Sequence, residues 1–247
     1  MCCAESVFPW RRAKRPSFWG ETGTGKTLIL KMAAGLIRPD AGRAKILDRD
    51  LGEMNERELL DFRRQVGFVF QEGALFDSLT VEENVAFRLR EEGVDEKEIE
   101  ARVREALMFV EMGDAAQKLP GELSGGMRRR VSIARALISR PPIVLYDSPT
   151  AGLDPVTSQK IITLILSLRD LQGVTALLAT HRLQDAFALS NFCLDTKTGR
   201  VVRLPEEEAQ NGPKTTFLVL REGEIYFQGD QHEIRSSHDP YLDRFLE

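Results

Sequence analysis

Short apolar runs alternate with longer amphipathic stretches along most of the chain. Three of these runs are continuous, as is typical of strands buried on both faces of a sheet: Val66–Phe70, Ile143–Asp147 and "GVTALLAT" (Gly173–Thr180). A polar residue follows at once, Gln71 after the first run and His181 after the third. Strands of this kind between helical patterns predict an α/β fold with a largely parallel sheet, whose functional sites lie at the carboxyl ends of the strands.

Two helical patterns stand out by their apolar faces. The segment "DEKEIEARVREALMFVEMG" places its charges on one face and five apolar residues on the other: Ile99, Val103, Ala106, Leu107 and Val110. Asp154 predicts a helix start with Pro155 at the first helical position. The stripe predicted to be buried in that helix consists of Ile161, Ile162, Ile165 and Leu168. Pro141 and Pro142 are predicted to end the helix before them.

The last part of the chain has a different pattern. The segment "FLVLREGEIYFQG" predicts a β-hairpin that turns at Glu222 and Gly223. The polar stretch before it, "PEEEAQNGPK", predicts an exposed loop. The sequence contains no internal repeat.

Composition restricts the class of protein. With 247 residues, 42% hydrophobic and 29% charged, the chain has an ordinary globular balance. A net charge of -4 gives no overall basic field, so we expect no nucleic-acid partner, and the clusters "RRAKR" (Arg11–Arg15) and "RRR" (Arg128–Arg130) are interpreted as solvated. No apolar run approaches the roughly 20 residues that span a bilayer. The 3 cysteines match no metal-site spacing and are expected to be reduced thiols.

The first chemical motif is "GETGTGKT", Gly20–Thr27, which we call the phosphate loop. Gly23 and Gly25 allow backbone N–H groups to surround phosphates, Lys26 can reach phosphate oxygens, and the Thr27 hydroxyl can bind Mg²⁺ at the start of a helix. The helical pattern "LILKMAAGL" that follows favours this reading over a glycine-rich turn. Such a loop is expected to follow a strand, yet "KRPSFW" before it predicts at most a stub.

A second glycine motif lies in "ELSGGMRRRVSIARAL". Ser124, Gly125 and Gly126 at a helix start form either an anion site or a simple N-cap. Asp147, at the end of an apolar strand, can hold Mg²⁺ through water. Taken singly, Gln71 and His181 could be ordinary residues at the edge of a core.

The order of these motifs is more specific than any one of them. The motifs are, in sequence, the phosphate loop, a strand-end glutamine, "LSGGM", a strand-end aspartate, "AGLDP" and a strand-end histidine. In this order of motifs, the chain resembles the nucleotide-binding subunits of ABC transporters over about residues 20–195. Within that family, "VGFVFQEGALFDSLTVEENVAF", "LSGGMRRRVSIARAL" and the C-terminal segment are most similar to the ATPases of Mla-type, MCE-associated lipid transporters.

The resemblance implies a P-loop NTPase fold of the ABC type. One ATP-binding domain would span residues 1–247, with a RecA-like core sheet in 20–71 and 141–195 and an inserted helical subdomain in 72–140. Residues 196–247 would form a C-terminal hairpin and tail. Residues 1–19 are atypical, so the adenine-stacking aromatic has no clear counterpart, although Trp10, Phe18 or Trp19 could substitute. Residues 195–214 have the character of an insertion.

The resemblance also implies the site residues, with ATP and Mg²⁺ as cofactors. The nucleotide would be bound by Gly20, Glu21, Thr22, Gly23, Thr24, Gly25, Lys26, Thr27 and Leu28, and by Ser124, Gly125 and Gly126 of a second copy. The metal would be bound by Thr27, Gln71 and Asp147. The catalytic set would be Gln71, Ser148, Asp154 and His181, with Asp154 communicating across the dimer and His181 contacting the γ-phosphate.

Ser148 departs from the family pattern, which has glutamate there to accept a proton from the attacking water. Removing a general base typically costs on the order of 10² to 10⁴ in rate. Glu72 is a possible substitute, or simply a solvated loop residue. We therefore expect ATP binding with slow hydrolysis, or alternatively an ATP-gated dimerising module with negligible turnover. A DNA-repair or translation ABC protein is disfavoured by the single nucleotide-binding unit and the lack of basic character.

The resemblance finally implies partners. The ATPase would be a homodimer, with residues 72–90 receiving a coupling helix of an integral membrane permease and an MCE-domain protein in the wider complex. The chain would then lie on the cytoplasmic side of the inner membrane, held there by the permease.

Overall fold

The computed structural model describes residues 15–20, 23–204 and 215–246. The strands are β1 Arg15–Gly20, β2 Lys45–Ile46, β3 Arg49–Asp50, β4 Val66–Val69, β5 Ile143–Asp147, β6 Thr175–Thr180, β7 Phe192–Asp195, β8 Arg200–Arg203, β9 Thr215–Arg221 and β10 Glu224–Gly229. The helices are α1 Lys26–Ala33, α2 Glu56–Arg63, α3 Val81–Glu91, α4 Glu96–Phe109, α5 Gly125–Leu137, α6 Pro155–Gln172, α7 Leu183–Asn191, α8 Gln231–Arg235 and α9 Pro240–Leu246. Short 3-10 turns lie at Gly113–Ala115 and Pro120–Glu122.

The main sheet has the strand order β10-β9-β1-β6-β5-β4. Its strands are parallel except for β10, which pairs antiparallel with β9. The predicted parallel α/β sheet is therefore confirmed. Two small antiparallel pairs, β2–β3 and β7–β8, stand apart from it.

Helices cover both faces of this sheet, which explains the continuous apolar runs. All five residues of β5 are buried. Val144 and Tyr146 belong to a core formed with α3, α4, α5 and α6, whereas Ile143 and Leu145 belong to a core formed with α1 and α2. A strand packed on both sides has no polar face, so its sequence does not alternate.

The strand before the phosphate loop corrects the expectation of a stub. β1 is six residues long and lies inside the sheet, between β6 and β9. Its pairing with β9 starts at Arg15, but its pairing with β6 starts only at Ser17. Pro16, which has no backbone N–H, thus precedes the part of β1 that is paired on both sides, and the proline is tolerated there.

The predicted C-terminal hairpin is present at the edge of the main sheet. Glu222 and Gly223 form the turn between β9 and β10, with φ angles of 52° and 84°. Both strands join the main sheet, where β9 lies next to β1. An aromatic and aliphatic cluster with α7 and α8 covers it, including Phe217, Val219 and Ile234.

The helical predictions hold with small shifts. α6 starts with Asp154 as its N-cap and Pro155 at the first position, and the predicted stripe is buried. In α4, Ala106 is only half-buried, whereas the other predicted positions are buried. α5 ends at Leu137, before Pro141 and Pro142, because the chain first turns through Arg140 with φ of 51°.

The start of the predicted insertion forms the turn and the second strand of the hairpin β7–β8, whose first strand packs on α6. Arg169 of α6 donates hydrogen bonds to the carbonyl oxygens of Leu189 and Phe192, at 2.5 and 2.8 Å. The predicted loop at 205–214 and residues 1–14, which include Trp10, lie outside the described residues. No helix within residues 23–204 or 215–246 combines the length and apolar character needed to cross a bilayer.

Candidate functional site

The phosphate loop connects the end of β1 to the start of α1. Gly23 and Gly25 have φ angles of 86° and 97°, which side chains other than glycine rarely adopt. A Cβ atom at either position would meet nothing within 4 Å, so conformation rather than crowding requires glycine there. The N-cap residue of α1 is Gly25, which has no side chain to cap the helix, and the first N–H groups of a helix are suited to bind an anion. Lys26 is buried with 7% exposure; Glu21 and Thr22 lie outside the described residues.

Thr27 and Asp147 meet across the site. The Thr27 hydroxyl donates to the Asp147 carboxylate, with 2.8 Å between Oγ1 and Oδ2. Asp147 is 4% exposed at the end of β5, and Thr27 lies in the first turn of α1. The sequence places these residues 120 positions apart, and the sheet brings them into contact.

These two oxygen donors fit Mg²⁺. The ion usually takes one or two protein oxygens and fills its other positions with water and substrate phosphate. Within the described residues, no group of three or more His, Cys, Asp or Glu side chains could enclose a metal alone. A metal here would therefore be shared with a ligand, as Mg²⁺ at phosphates is.

The other strand-end residues lie at the same edge. Gly20 ends β1, Gln71 follows β4 and His181 follows β6, and these strands run parallel with β5. Both Gln71 and His181 are exposed at this carboxyl edge, which leaves their side chains open to a ligand.

Ser148 is held tightly next to Asp147. It is 6% exposed and has a φ angle of 46°. Its backbone N–H donates to the Ala179 carbonyl at 2.8 Å, and its hydroxyl lies 3.5 Å from Asp147 Oδ1. The serine hydroxyl is thus placed as a donor to the Asp147 carboxylate, and the lack of a general base at this position stays a prediction.

Ser124 caps α5, accepting a hydrogen bond from the Met127 N–H at 3.3 Å. Ser124 and Gly125 are exposed, whereas Gly126 is buried against α6, where a Cβ would lie 2.4 Å from Thr157 Cγ2. The N-cap reading is thus confirmed, and the exposed helix start remains open to an anion from outside.

Asp154 caps α6 by accepting from the Thr157 N–H at 3.0 Å. Hydrogen bonds from the Thr157 hydroxyl and amide hold the pKa of Asp154 below its usual value. Asp154 is exposed, and its neighbours Leu153 and Thr157 lie beside the two glycines of the LSGGM segment, Leu123–Met127.

The cluster Arg128–Arg130 is not solvated as predicted. Arg129 is 5% exposed and donates to the Phe70 carbonyl oxygen at 2.5 Å, which anchors the residue before Gln71. Burial lowers the pKa of Arg129, while the nearby charges of Asp147 and Glu72 oppose that shift. Helical spacing was the missed signal, because Arg129 shares a face with Gly126 and Ser132, which are buried.

The "RRAKR" cluster falls mostly outside the described residues. Glu72, the possible substitute base, is an exposed loop residue.

The segment 72–90 presents an aromatic pair to solvent. Phe76 and Phe87 are 43% and 39% exposed, with ring centroids 4.7 Å apart. Fully buried Asn84 fixes the loop by hydrogen bonds to both Phe76 backbone groups, at 2.8 and 3.0 Å. Arg135 of α5 lies over the Phe76 ring and donates to the Gly73 carbonyl at 2.9 Å. This segment is thus tied to α5.

A polar network that the sequence did not predict surrounds His181. Asp185 is 4% exposed and accepts hydrogen bonds from the hydroxyls of Thr150 and Thr180. Arg182 joins this network through its backbone N–H, which donates to the Thr180 hydroxyl at 2.9 Å. Neither Arg182 nor Asp185 has a sequence signal beyond its closeness to His181.

Comparison with known proteins agrees with this geometry. A family model described as "ABC transporter" matches residues 8–151. The "Methionine import ATP-binding protein MetN" of Mesorhizobium japonicum is 38% identical over 183 residues, 74% of this chain and 50% of that protein. The "Probable ribonucleotide transport ATP-binding protein mkl" of Mycobacterium leprae is 43% identical over 169 residues, 68% of this chain and 48% of that protein. The chain spans about half the length of the curated relatives it matches.

A solved structure is similar over nearly the whole chain. The dimeric ATP-binding cassette MJ0796, in a post-hydrolysis state bound to ADP and Pi, superimposes with a TM-score of 0.73 at 29% identity. The match covers 90% of this chain and 88% of that chain. The α/β fold is therefore that of an ATP-binding cassette.

Proposed function

Because the chain belongs to the family of ABC transporter ATP-binding domains, we propose that it binds and hydrolyses ATP to drive transport through a separate membrane permease. The observation that carries this proposal is the 2.8 Å contact between Thr27 and Asp147. It joins the phosphate loop to the strand-end carboxylate, where a metal on the β- and γ-phosphates would be held.

The residues at this edge of the sheet would have separate roles in binding and hydrolysing ATP. The amides of the phosphate loop and Lys26 would bind the phosphates, and Thr27 and Asp147 would hold Mg²⁺. When bound, Mg²⁺ would neutralise charge on the β- and γ-phosphates. Gln71 and His181, exposed at the ends of β4 and β6, would orient the attacking water and contact the γ-phosphate.

Hydrolysis would be slow. Water attacks the γ-phosphorus, the bond to the bridging oxygen breaks, ADP and phosphate leave, and the water must lose a proton. Ser148 cannot accept that proton near neutral pH, so the rate falls on the order of 10² to 10⁴. Hydrolysis continues at a reduced rate because phosphoryl transfer depends mainly on positioning and charge stabilisation.

A second candidate function follows from Ser148 itself. Its hydroxyl is buried beside Asp147, with no base at that position. The chain could then act as an ATP-gated dimerising module with negligible turnover. Turnover of the purified complex with its permease separates the two functions.

The partners of the proposed transporter follow from the surfaces of the domain. We propose a homodimer in which Ser124–Gly126 of one chain close over the nucleotide of the other. The exposed pair Phe76 and Phe87 in segment 72–90 would receive the permease, and the chain would lie on the cytoplasmic side of the inner membrane.

We propose lipid or phospholipid as the transported substrate, with an MCE-domain protein in the complex. The support is the resemblance of Val66–Phe87 and of the LSGGM region to Mla-type ATPases. Two relatives carry names for methionine and ribonucleotide transport, so the relatives do not agree on one substrate. Neighbouring genes for a permease and an MCE-domain protein would support lipid transport, whereas genes for an amino-acid-binding protein would contradict it.

The nucleotide site is tested by Lys26→Ala. Removing the buried ammonium should abolish ATP binding, measured by isothermal titration or fluorescent-nucleotide binding. Lys31→Ala in the last turn of α1 is the matched control and should bind ATP like the parent. Equal ATP affinity in Lys26→Ala and parent would exclude the proposed site.

A further inference from the structure

Arg182 follows His181 directly, yet its side chain turns into the protein and is 29% exposed. Its Nη1 donates to the Ser158 hydroxyl at 3.0 Å. Its Nε lies 3.9 Å from Asp185 Oδ1, beyond hydrogen-bond distance, while Asp185 accepts from the hydroxyls of Thr150 and Thr180 instead. The closest described contact of the guanidinium is therefore a serine hydroxyl on α6 and not a carboxylate.

Ser158 in turn donates hydrogen bonds to the segment before α6. It is 3% exposed, and its backbone N–H donates to the Asp154 carbonyl at 2.9 Å. The Ser158 hydroxyl, which accepts from Arg182, donates to the Leu153 carbonyl at 3.4 Å. The Ser158 side chain thus joins Arg182 to the Leu153 carbonyl, while the Ser158 backbone is bonded to Asp154 within the helix.

The LSGGM segment rests on the same residues. A Cβ at Gly126 would lie 2.4 Å from Thr157 Cγ2, and one at Gly125 would lie 3.4 Å from Leu153 Cδ2. A side-chain atom would not fit between Gly126 and Thr157, so the starts of α5 and α6 are in close contact there, whereas Gly125 and Leu153 lie at an ordinary contact distance.

We propose that Arg182 is a positioning residue that couples the two nucleotide sites of the dimer. The proposal rests on the proposed function, in which His181 contacts the nucleotide of its own chain and Ser124–Gly126 contact that of the partner. A displacement at His181 would pass through Arg182 and Ser158 to the start of α6, and from Thr157 to Gly126. Coupling between two sites can be carried by a chain of packed and hydrogen-bonded residues, and these contacts form such a chain.

The test measures how steeply ATP drives dimer formation. We expect the parent to show a Hill coefficient above one and at most two, since two sites close together. Arg182→Ala and Ser158→Ala should each bring the coefficient towards one, so that the second ATP binds about fivefold or more weakly than in the parent. The double variant should add nothing to either change, because both remove one link. ATP affinity of the dilute monomer should stay unchanged.

Arg63→Ala is the matched control. Its side chain is 31% exposed and likewise donates to one oxygen, the Gly35 carbonyl, from α2. It should retain the Hill coefficient of the parent. If Arg182→Ala does not fold, Arg182→Lys and Ser158→Ala carry the test, since neither opens a large cavity.

The outcomes separate this inference from the proposed function. A parent that binds ATP and dimerises, with the same Hill coefficient in Arg182→Ala, Ser158→Ala and Arg63→Ala, overturns the coupling role alone. A Hill coefficient of one in the parent also overturns the coupling role. A parent that neither binds ATP nor dimerises with it overturns both proposals.

Discussion

Ser148 combines a left-handed backbone with a buried hydroxyl at the end of β5. Its φ of 46° is uncommon for a residue with a side chain, and the hydrogen bond from its N–H to Ala179 fixes that conformation against β6. The backbone geometry therefore does not depend on the serine hydroxyl. A glutamate placed there would start from the same backbone, next to Asp147.

Ser148→Glu is accordingly expected to raise ATP turnover. A new carboxylate at this position can accept the proton of the attacking water, and a gain of roughly tenfold corresponds to about 1.4 kcal/mol of barrier. ATP affinity should change little. Steady-state phosphate release with the permease present measures the effect.

Ser148→Ala is the control, because it also lacks a base and should turn over ATP like the parent. If folded Ser148→Glu is no faster than the parent, the missing glutamate does not limit this enzyme. In that case the second candidate function, an ATP-gated module, would gain support.

The role of a single residue was predictable from the sequence only where that role selects one residue type at a fixed spacing. The phosphate-loop glycines could be identified because positive φ selects glycine at fixed spacing. Arg129 and Arg182 could not be identified in this way, because an arginine in a sequence is expected to be exposed to solvent. Only the fold shows which carbonyl or hydroxyl its side chain contacts.

At the scale of elements, α5 and α6 meet at their first turns. Gly126 leaves no room for a side chain beside Thr157, whereas Gly125 faces solvent with Leu153 Cδ2 at an ordinary contact distance of 3.4 Å. The two adjacent positions are therefore occupied by glycine for different structural reasons. One permits close packing of the helices, and the other keeps the exposed start of α5 bare.

Gly126→Ala should destabilise the fold by about 1–3 kcal/mol, the usual cost of overpacking. Gly125→Ala should change stability little, because its Cβ has room. Urea unfolding of both variants measures the difference. Thr157→Ser removes the methyl group in the way, so Gly126→Ala should cost less in that background. Equal unfolding free energies for the two alanine variants would contradict the close packing.

Elements with strong periodicity were predicted well, and β1 was not. β5 matches its prediction to the residue because burial on both faces leaves a purely apolar run. β1 has the sequence "RPSFWG", whose proline and glycine argue against a central strand. Pairing with β6 and β9 overrides that local preference, and no local pattern reveals partners so distant in sequence.

At the scale of the whole molecule, the exposed start of α5 and the phosphate loop would complete each other only between two chains. ATP with Mg²⁺ should therefore promote a dimer, as measured by light scattering. Gly125→Asp should prevent it, since the added carboxylate would lie where the γ-phosphate of the partner's nucleotide is expected.

Gly121→Asp provides the matched control. Gly121 is exposed in the turn before α5 with nothing within 4 Å of a Cβ, so the same charge is added outside the helix start. It should dimerise like the parent. The same ATP-dependent dimer in Gly125→Asp would argue against the shared site.

The order of motifs was enough to predict the fold of the whole domain, because each motif lies at a different strand end of one sheet. It did not place the C-terminal hairpin, whose strands read as an isolated pair and join the sheet only through β1. The cargo of the proposed transporter was not predictable from these motifs, since residues at the nucleotide site would not contact what a permease carries.

The position of β1 has a consequence for how the protein is made. β1 leaves the ribosome before both of its neighbours in the sheet, β6 and β9, which lie far along the chain from it. Long-range pairing of this kind forms slowly and late. The strand that carries the phosphate loop therefore stays unpaired until β6 and β9 have been translated, and a nascent chain is expected to bind ATP only after that point.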